Sequence, residues 1–166
     1  DVGANQGLYA LFAAARGGES TRVVAFKPQP RVAEALRLSI DANMFQNVAL
    51  VQEAVSSSLG ETSFFVPAFG SGTASLSHAQ AARNGSVQEI RCATTTLDHY
   101  VESNAIARID IMKMDVEGFE ASVLEGGREC ITRSHPIIWF EVNPLALAAA
   151  GSSQEQCIDL LRTYGY

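Results

Sequence analysis

The chain has 166 residues, of which 47% are apolar, and its formal net charge is −6. This length can bury one hydrophobic core, so a single domain over residues 1–166 is expected. Without any run of Lys or Arg a nucleic-acid partner is not expected, and no apolar stretch approaches the roughly 20 residues of a transmembrane helix.

The apolar pattern predicts helices and strands that alternate along the chain. The first half is predicted to contain a helix over 8–15 ended by Gly17-Gly18, strand Val23–Phe26, a helix from Pro30 to about Asn43, strand Val48–Val51 continued or closed by Ala54-Val55, and strand Thr62–Val66. A long loop over 67–86, with room for one helical turn, follows. The second half is predicted to contain strand Val87–Ala93, a short helix from Thr96, strand Ile109–Met114, a helix through Phe119 and Leu124, a buried central strand Ile137–Phe140, and a last helix through Cys157 and Tyr164.

Strands separated by helices imply parallel pairing and a layered α/β fold. No strand pattern precedes Asp1 or follows the last helix, so the first and last strands of the sheet are expected to be missing. Three cysteines, Cys92, Cys130 and Cys157, show neither metal-ligand spacing nor a disulfide framework. They are interpreted as buried apolar residues, which predicts a cytoplasmic location and no metal site.

The segment Asp1-Val2-Gly3-Ala4-Asn5-Gln6-Gly7 is a glycine-rich turn that leads into the first predicted helix. Glycine has no Cβ, so the main chain can approach a bound molecule closely, and the helix N-terminus that follows carries partial positive charge. This layout is typical of a cofactor loop. Its Gly-x-x-x-Gly spacing differs from the Gly-x-Gly-x-x-Gly of dinucleotide folds.

A second group of candidate residues is acidic. Asp115, Glu117 and Glu120 follow an apolar strand, and Glu141 closes the next one. Ligands of open α/β sheets bind at the carboxyl edge of the strands, which is where these carboxylates are expected. Two structural alternatives stay open: Glu117 and Glu120 can serve the dipole of a helix N-terminus, and Glu141 can be a solvated strand end.

Several segments together resemble the FkbM-type S-adenosylmethionine-dependent methyltransferases. They are Asp1–Gly7, Ala25-Phe26-x-Pro28-x-Pro30, Gly60-Glu61, Thr96-Leu97-Asp98, Lys113–Glu120 and Pro136–Glu141, in that order. The resemblance extends from Asp1 to about Asn143. It implies a Rossmann-like class I methyltransferase with a mostly parallel sheet and helices on both faces. It also implies S-adenosylmethionine as cofactor and O-methylation of a hydroxyl on a sugar, glycolipid or secondary metabolite.

The resemblance also assigns expected roles to individual residues. The methionine part of the cofactor would be wrapped by Asp1, Gly3, Asn5 and Gly7, and its adenine would lie near Glu53 and Ala54. Asp115 and Glu117 would face the sulfonium and the acceptor, and one of them would act as base.

Phe69 and Trp139 are candidate sugar-stacking aromatics, although Trp139 is interpreted as a core residue.

Lys27 departs from the family pattern. The family has a glutamate there that accepts hydrogen bonds from both ribose hydroxyls, whereas a lysine ammonium has three donors and no acceptor. Three interpretations stay open: an isolated change, a weakened or non-catalytic relative, or a different ligand. Because a lysine suits a 2′-phosphate, an NADP-binding oxidoreductase is the alternative from another class.

Overall fold

The computed structural model describes residues 1–68 and 74–166 and confirms an α/β arrangement. Its helices are α1 (Leu8–Gly17), α2 (Pro30–Ala42), α3 (His78–Ala81), α4 (Leu97–Ser103), α5 (Glu120–Glu125), α6 (Arg128–Ser134), α7 (Pro144–Ala149) and α8 (Gln154–Thr163). Its strands are β1 (Val23–Phe26), β2 (Val48–Val51), β3 (Ala54–Val55), β4 (Gly60–Pro67), β5 (Val87–Thr95), β6 (Ile111–Met114) and β7 (Ile137–Phe140).

Helix α2 shows how closely local sequence sets a helix. Pro30 lies in its first turn. Proline is tolerated there because the N–H groups of the first turn have no acceptor within the helix. Val32, Leu36 and Ile40 recur every fourth residue and are all buried. Leu36 and Ile40 of this face pack in one cluster with Val23 and Ala25 of β1, as the sequence pattern predicts.

Two parallel strand pairs lie on either side of Val2. β1 pairs with β2 and β6 pairs with β7, both in parallel register. Val2 forms parallel bridges to Phe26, the last residue of β1, and to Met114, the last residue of β6. The turn Asp1–Gly7 therefore begins between the carboxyl ends of these two strands.

A mixed sheet corrects the expectation of one mostly parallel sheet. β4 runs antiparallel to β5 along its whole length, and the two-residue β3 pairs with β5 in parallel instead of continuing β2. Apolar alternation marks a segment as a strand but does not specify its partner or direction, which is why the sequence pattern missed this sheet. The described sheets are small and mixed, within an α/β fold.

Strand β7 is also less buried than predicted. Ile137 and Trp139 are 71% and 55% exposed, so the strand is not a fully buried central one. Its other face, with Ile138 and Phe140, packs on the main core. A wholly apolar run does not tell which of its two faces is covered, because that depends on what packs against the sheet.

The main core lies between β6 and the helices α4, α5, α6 and α8. Cys130 and Cys157 belong to it, and Cys92 is buried in a smaller cluster, all three as free thiols. Burial raises the pKa of Cys130 to about 12. The interpretation of the cysteines as buried apolar residues is therefore confirmed. No helix within residues 1–68 and 74–166 combines the length and the apolar character needed to span a bilayer.

Candidate active site

The end of β1 fixes the conformation of the glycine turn. The N–H groups of Gly3 and Ala4 both donate to the carbonyl oxygen of Phe26, at 3.2 and 3.0 Å. Gly3 has a φ of +79°, and a Cβ built there would lie 1.9 Å from the carbonyl oxygen of Asp115. Only a glycine therefore lets the turn lie directly against the strand end that carries Asp115.

Gly7 and Asn5 occupy different surroundings in the same turn. Gly7 has a φ of +88° and is buried, with its Cβ position 2.1 Å from a methyl carbon of Leu36, so it lets α1 start close to α2. Asn5 has a φ of +48°, a left-handed conformation that asparagine tolerates. The cofactor roles expected for Asn5 and Gly7 stay predictions.

Lys113 connects the turn to the acidic strand end. Its ammonium lies 3.4 Å from Asp1 Oδ1 and 3.4 Å from Asp115 Oδ2, and it donates a hydrogen bond to the carbonyl oxygen of Gly3 at 3.1 Å. The side chains of Lys113 and Asp1 are only 12% and 5% exposed. The sequence analysis did not predict this role of Lys113. The hint that the sequence offers is that Lys113 is a charged residue within an otherwise apolar strand.

A cleft opens beside this network, with about 420 Å³ of space that includes open solvent at its mouth. Five of its lining residues were predicted to bind the cofactor: Gly3, Lys27, Glu53, Ala54 and Asp115. Apolar side chains complete the wall, among them Phe26, Val55, Phe64, Leu76 and Phe119. The structure thus brings together residues from the turn, the end of β1, the start of β3 and the end of β6.

Lys27 is buried in the wall of this cleft, with only 6% exposure. Burial lowers the pKa of its ammonium, while Asp115 and Glu117 act in the opposite direction. Within the described residues its ammonium has no hydrogen bond and no ion pair. Burying a cation without a close counter-ion costs free energy, so the charged form of Lys27 is unfavourable in this cleft.

Three carboxylates gather at the edge of the sheet next to the cleft. Oxygens of Asp115, Glu117 and Glu141 lie within 4.8 Å of one another. Such crowding occurs with or without a cation, and we assign no metal to it. Burial and the nearby Asp115 and Glu120 raise the pKa of Glu141, which also shares a hydrogen bond with Asp115. Glu141 therefore belongs to the acidic cluster, an outcome that the sequence pattern left open.

Glu117 has the most strongly altered titration of this cluster. Burial raises its pKa to about 7, with further contributions from Asp115 and Glu141, against a hydrogen bond that lowers it. A carboxyl group with a pKa near the working pH is well suited to take up and release a proton. This property is what a general base in the cluster would need.

The hydrogen bond that lowers this pKa comes from Gln80, a residue that no sequence pattern had selected. Its amide nitrogen donates to Glu117 Oε2 at 2.7 Å, and Ser75 Oγ donates to the carbonyl oxygen of Glu117 at 3.0 Å. Both residues are buried. They lie in the region predicted as a long loop, where α3 is the expected helical turn.

Glu120 has a structural role instead. It is the first residue of α5 and only 1% exposed, and its Oε1 accepts the N–H of Val116 at 3.0 Å. This carboxylate therefore satisfies a main-chain N–H of the turn that precedes the helix, a contact different from the helix-dipole role that the sequence left open for it. The acidic cluster next to the cleft consists of Asp115, Glu117 and Glu141, of which Asp115 lines the cleft itself.

The two aromatic candidates have different outcomes. Trp139 is exposed instead of lying in the core, and its ring meets Tyr9 edge-on at 4.9 Å. The sheet face that it occupies also carries Lys113, its register partner on β6. Phe69 lies outside the described residues.

Comparison with known proteins supports one family. A family model described as "Methyltransferase FkbM domain" matches residues 1–166. The AMB antimetabolite synthetase AmbE of Pseudomonas aeruginosa is 27% identical over the whole chain, which corresponds to 9% of that protein's length. The structure of methyltransferase FkbM from Methylobacillus flagellatus superposes with a TM-score of 0.60 at 18% identity, over 99% of this chain and 35% of that chain. The chain therefore spans only a small part of these relatives, and the solved structure supports the fold alone.

Proposed function

The chain belongs to the FkbM methyltransferase family, and we propose that it is an S-adenosylmethionine-dependent methyltransferase domain of Rossmann-like class I type that methylates a hydroxyl group. The observation that carries this proposal is the meeting of the Gly3 turn and Asp115 at one cleft, with a carboxylate oxygen of Glu117 within 4.8 Å of Asp115. Carboxylates next to a close-approach main-chain turn suit a small cationic cofactor. The proposed acceptor is a sugar, glycolipid or secondary metabolite.

The residues present fit this cofactor at its methionine and sulfonium end. Asp1 is buried, and neither of its carboxylate oxygens accepts a hydrogen bond within the described residues. Such oxygens can accept the N–H groups of an ammonium ligand. Asp115 lines the cleft beside Gly3, where its charge would favour a sulfonium.

The chemistry needs alignment and one proton acceptor. S-adenosylmethionine would supply an electrophilic methyl group. The chain's own contribution is to hold the acceptor hydroxyl in line with it and to take the hydroxyl proton. Glu117 is our candidate for the proton acceptor, because its pKa of about 7 leaves much of it ionised at neutral pH and able to hold the proton afterwards.

At the ribose end the residues do not fit. A charged lysine cannot accept hydrogen bonds from two ribose hydroxyls, and losing such a charge-assisted interaction costs roughly 1.5–3 kcal/mol. That cost corresponds to a loss in affinity of about ten- to a hundredfold. We therefore expect this chain to bind the cofactor weakly.

The test is a calorimetric titration with S-adenosylhomocysteine, the neutral product form of the cofactor. Lys27→Glu restores the acceptor and is expected to tighten binding about ten- to a hundredfold. Lys27→Met, which removes the charge without adding an acceptor, is the matched control and is expected to improve binding less. An absence of binding by the natural chain and by Lys27→Glu at millimolar ligand would refute the proposed function. Equal binding by all three would refute the ribose argument alone.

Within the described residues the buried ammonium of Lys27 has no partner, which favours the oxidoreductase alternative because this group could contact a 2′-phosphate. Family membership argues against that alternative. In a thermal-shift assay, stabilisation by NADPH and not by S-adenosylhomocysteine would support it. A non-catalytic relative would respond to neither ligand.

A further inference from the structure

Glu117 is held by a segment that is far away in the sequence. Gln80 donates from its amide nitrogen to Glu117 Oε2 at 2.7 Å, and Ser75 donates from its hydroxyl to the main-chain carbonyl of Glu117 at 3.0 Å. Gln80 and Ser75 are only 2% and 1% exposed. The segment from Ser75 to Gln80 therefore donates hydrogen bonds to both the side chain and the backbone of Glu117.

The backbone at Glu117 requires such support. Its φ is +55°, in the left-handed region that a glutamate rarely adopts. Gly118 follows with a φ of +103°, and a Cβ there would lie 2.2 Å from the carbonyl oxygen of Ala146. Strained conformations of this kind persist where the surroundings hold them in place, and they are frequent at functional sites.

The orientation of the Gln80 amide is itself determined by a neighbour. Arg83 donates from its guanidinium to Gln80 Oε1 at 3.3 Å. Because Arg83 has donors only, the oxygen of the amide must face it, and the NH2 group is left to face Glu117. The chain thus presents a donor, and not an acceptor, to the carboxylate.

We propose that Gln80 is a positioning residue that, together with Ser75, aims the Glu117 carboxylate at the methyl-transfer site. The inference rests on the proposed function for the role of Glu117 as base. With Oε2 engaged by Gln80, Oε1 is the oxygen left to receive the acceptor proton. A donated N–H favours the ionised carboxylate, so Gln80 also opposes the burial that would otherwise keep Glu117 protonated.

Besides the neutral amide of Gln80, several charged groups affect the protonation of Glu117. Asp115 at the end of β6, Glu141 at the end of β7 and Glu120 on α5 favour its protonated form. Lys27 at the end of β1 carries the opposite charge and favours the ionised form. Removing Gln80 leaves these groups unchanged, so its own contribution can be measured by difference.

The test compares Gln80→Met, which keeps the size of the side chain and removes both polar groups, with Gln88→Met at an exposed position of β5 as the matched control. Methyl transfer from S-adenosylmethionine to the hydroxyls of a simple sugar, methyl glucoside, and binding of S-adenosylhomocysteine are measured between about pH 5.5 and 9. For Gln80→Met we expect the acidic limb of kcat/KM to move up by about one pH unit. This means about tenfold lower activity at pH 6, little change at pH 9, and a KM for the methyl donor within about twofold of the natural chain. Gln88→Met is expected to leave the profile in place.

A second readout does not depend on catalysis. NMR titration of the Glu117 side-chain carboxyl carbon should show the same upward shift in Gln80→Met, even if no methyl transfer is detected, which separates this inference from the proposed function. If Gln80→Met does not fold, Arg83→Met replaces it, because the exposed Arg83 can be removed without a core defect and should give a smaller shift in the same direction. An unmoved titration in the variant that folds, or an equal shift in Gln88→Met, would overturn the inference.

Discussion

The two halves of the candidate site are built in different ways. The turn half, around Gly3, depends on main-chain atoms in close contact and on the absence of a side chain. The acidic half, around Glu117, depends on side chains that come from three separate parts of the chain. The first half should therefore be intolerant of any added atom, while the second should respond gradually to changes of charge and hydrogen bonding.

The largest effect is expected for the turn half. Gly3→Ala forces a Cβ against a backbone oxygen that cannot move aside, at a φ of +79°. We expect it to lower the free energy of unfolding by roughly 3 kcal/mol or more. Gly151→Ala is the matched control, because Gly151 has a φ of +76° with no atom near its Cβ position. It should cost only about 1–2 kcal/mol, the conformational penalty alone.

Urea denaturation of the two alanine variants measures this difference. Equal losses in both would show that the turn can relax away from Asp115. The close contact between turn and strand end would then not be what defines this half of the site.

An intermediate effect is expected for the residue that joins the halves. Lys113→Met leaves the buried Asp1 and the half-buried Asp115 without their shared cation. We expect a loss of about 3 kcal/mol in unfolding free energy, since breaking a buried ion pair leaves the remaining charges buried without a counter-ion. Arg108→Met removes an exposed pair with Asp110 and is expected to cost less than about 1 kcal/mol. A loss no larger for Lys113→Met than for Arg108→Met would mean that the two halves are held independently.

The smallest effect concerns the pH dependence of stability in the acidic half. The folded-state pKa of Glu117 is raised from 4.5 to about 7, so between these values the folded protein binds a proton that the unfolded chain has released. This contribution to stability is complete below about pH 4.5 and is lost as the pH rises to about 7. After discounting for solvent screening it amounts to about 1 kcal/mol.

Glu117→Gln should therefore flatten the decline in stability between pH 4.5 and 7, as followed by urea denaturation across that range. Glu61→Gln, at an exposed position of β4, serves as the control and should leave the decline unchanged. A natural chain whose stability rises over this interval would contradict the assignment of a proton to Glu117.

Much of the site could be predicted because the signals were local. The turn was recognisable from its glycines and from the helix that follows, and Asp115 and Glu117 from their position after an apolar strand. Gln80 and Ser75 could not be selected this way. Nothing in a Ser- and Ala-rich loop indicates that its side chains reach a residue about 40 positions later, because such pairing depends on the path of the chain and not on periodicity.

The sequence by itself determined the α/β class, the family, the positions of α1, α2, α4, α5 and α8 and the existence of a close-approach turn, because periodicity, glycine placement and ordered motifs are encoded over short distances. Helices α6 and α7 were not predicted. Only the tertiary structure decided that β3, β4 and β5 form a mixed sheet and that Trp139 is exposed. It also decided that Lys113 joins Asp1 to Asp115 and that Gln80 donates a hydrogen bond to Glu117. Strand partners, burial and ion pairs are properties of which surfaces meet in the folded chain.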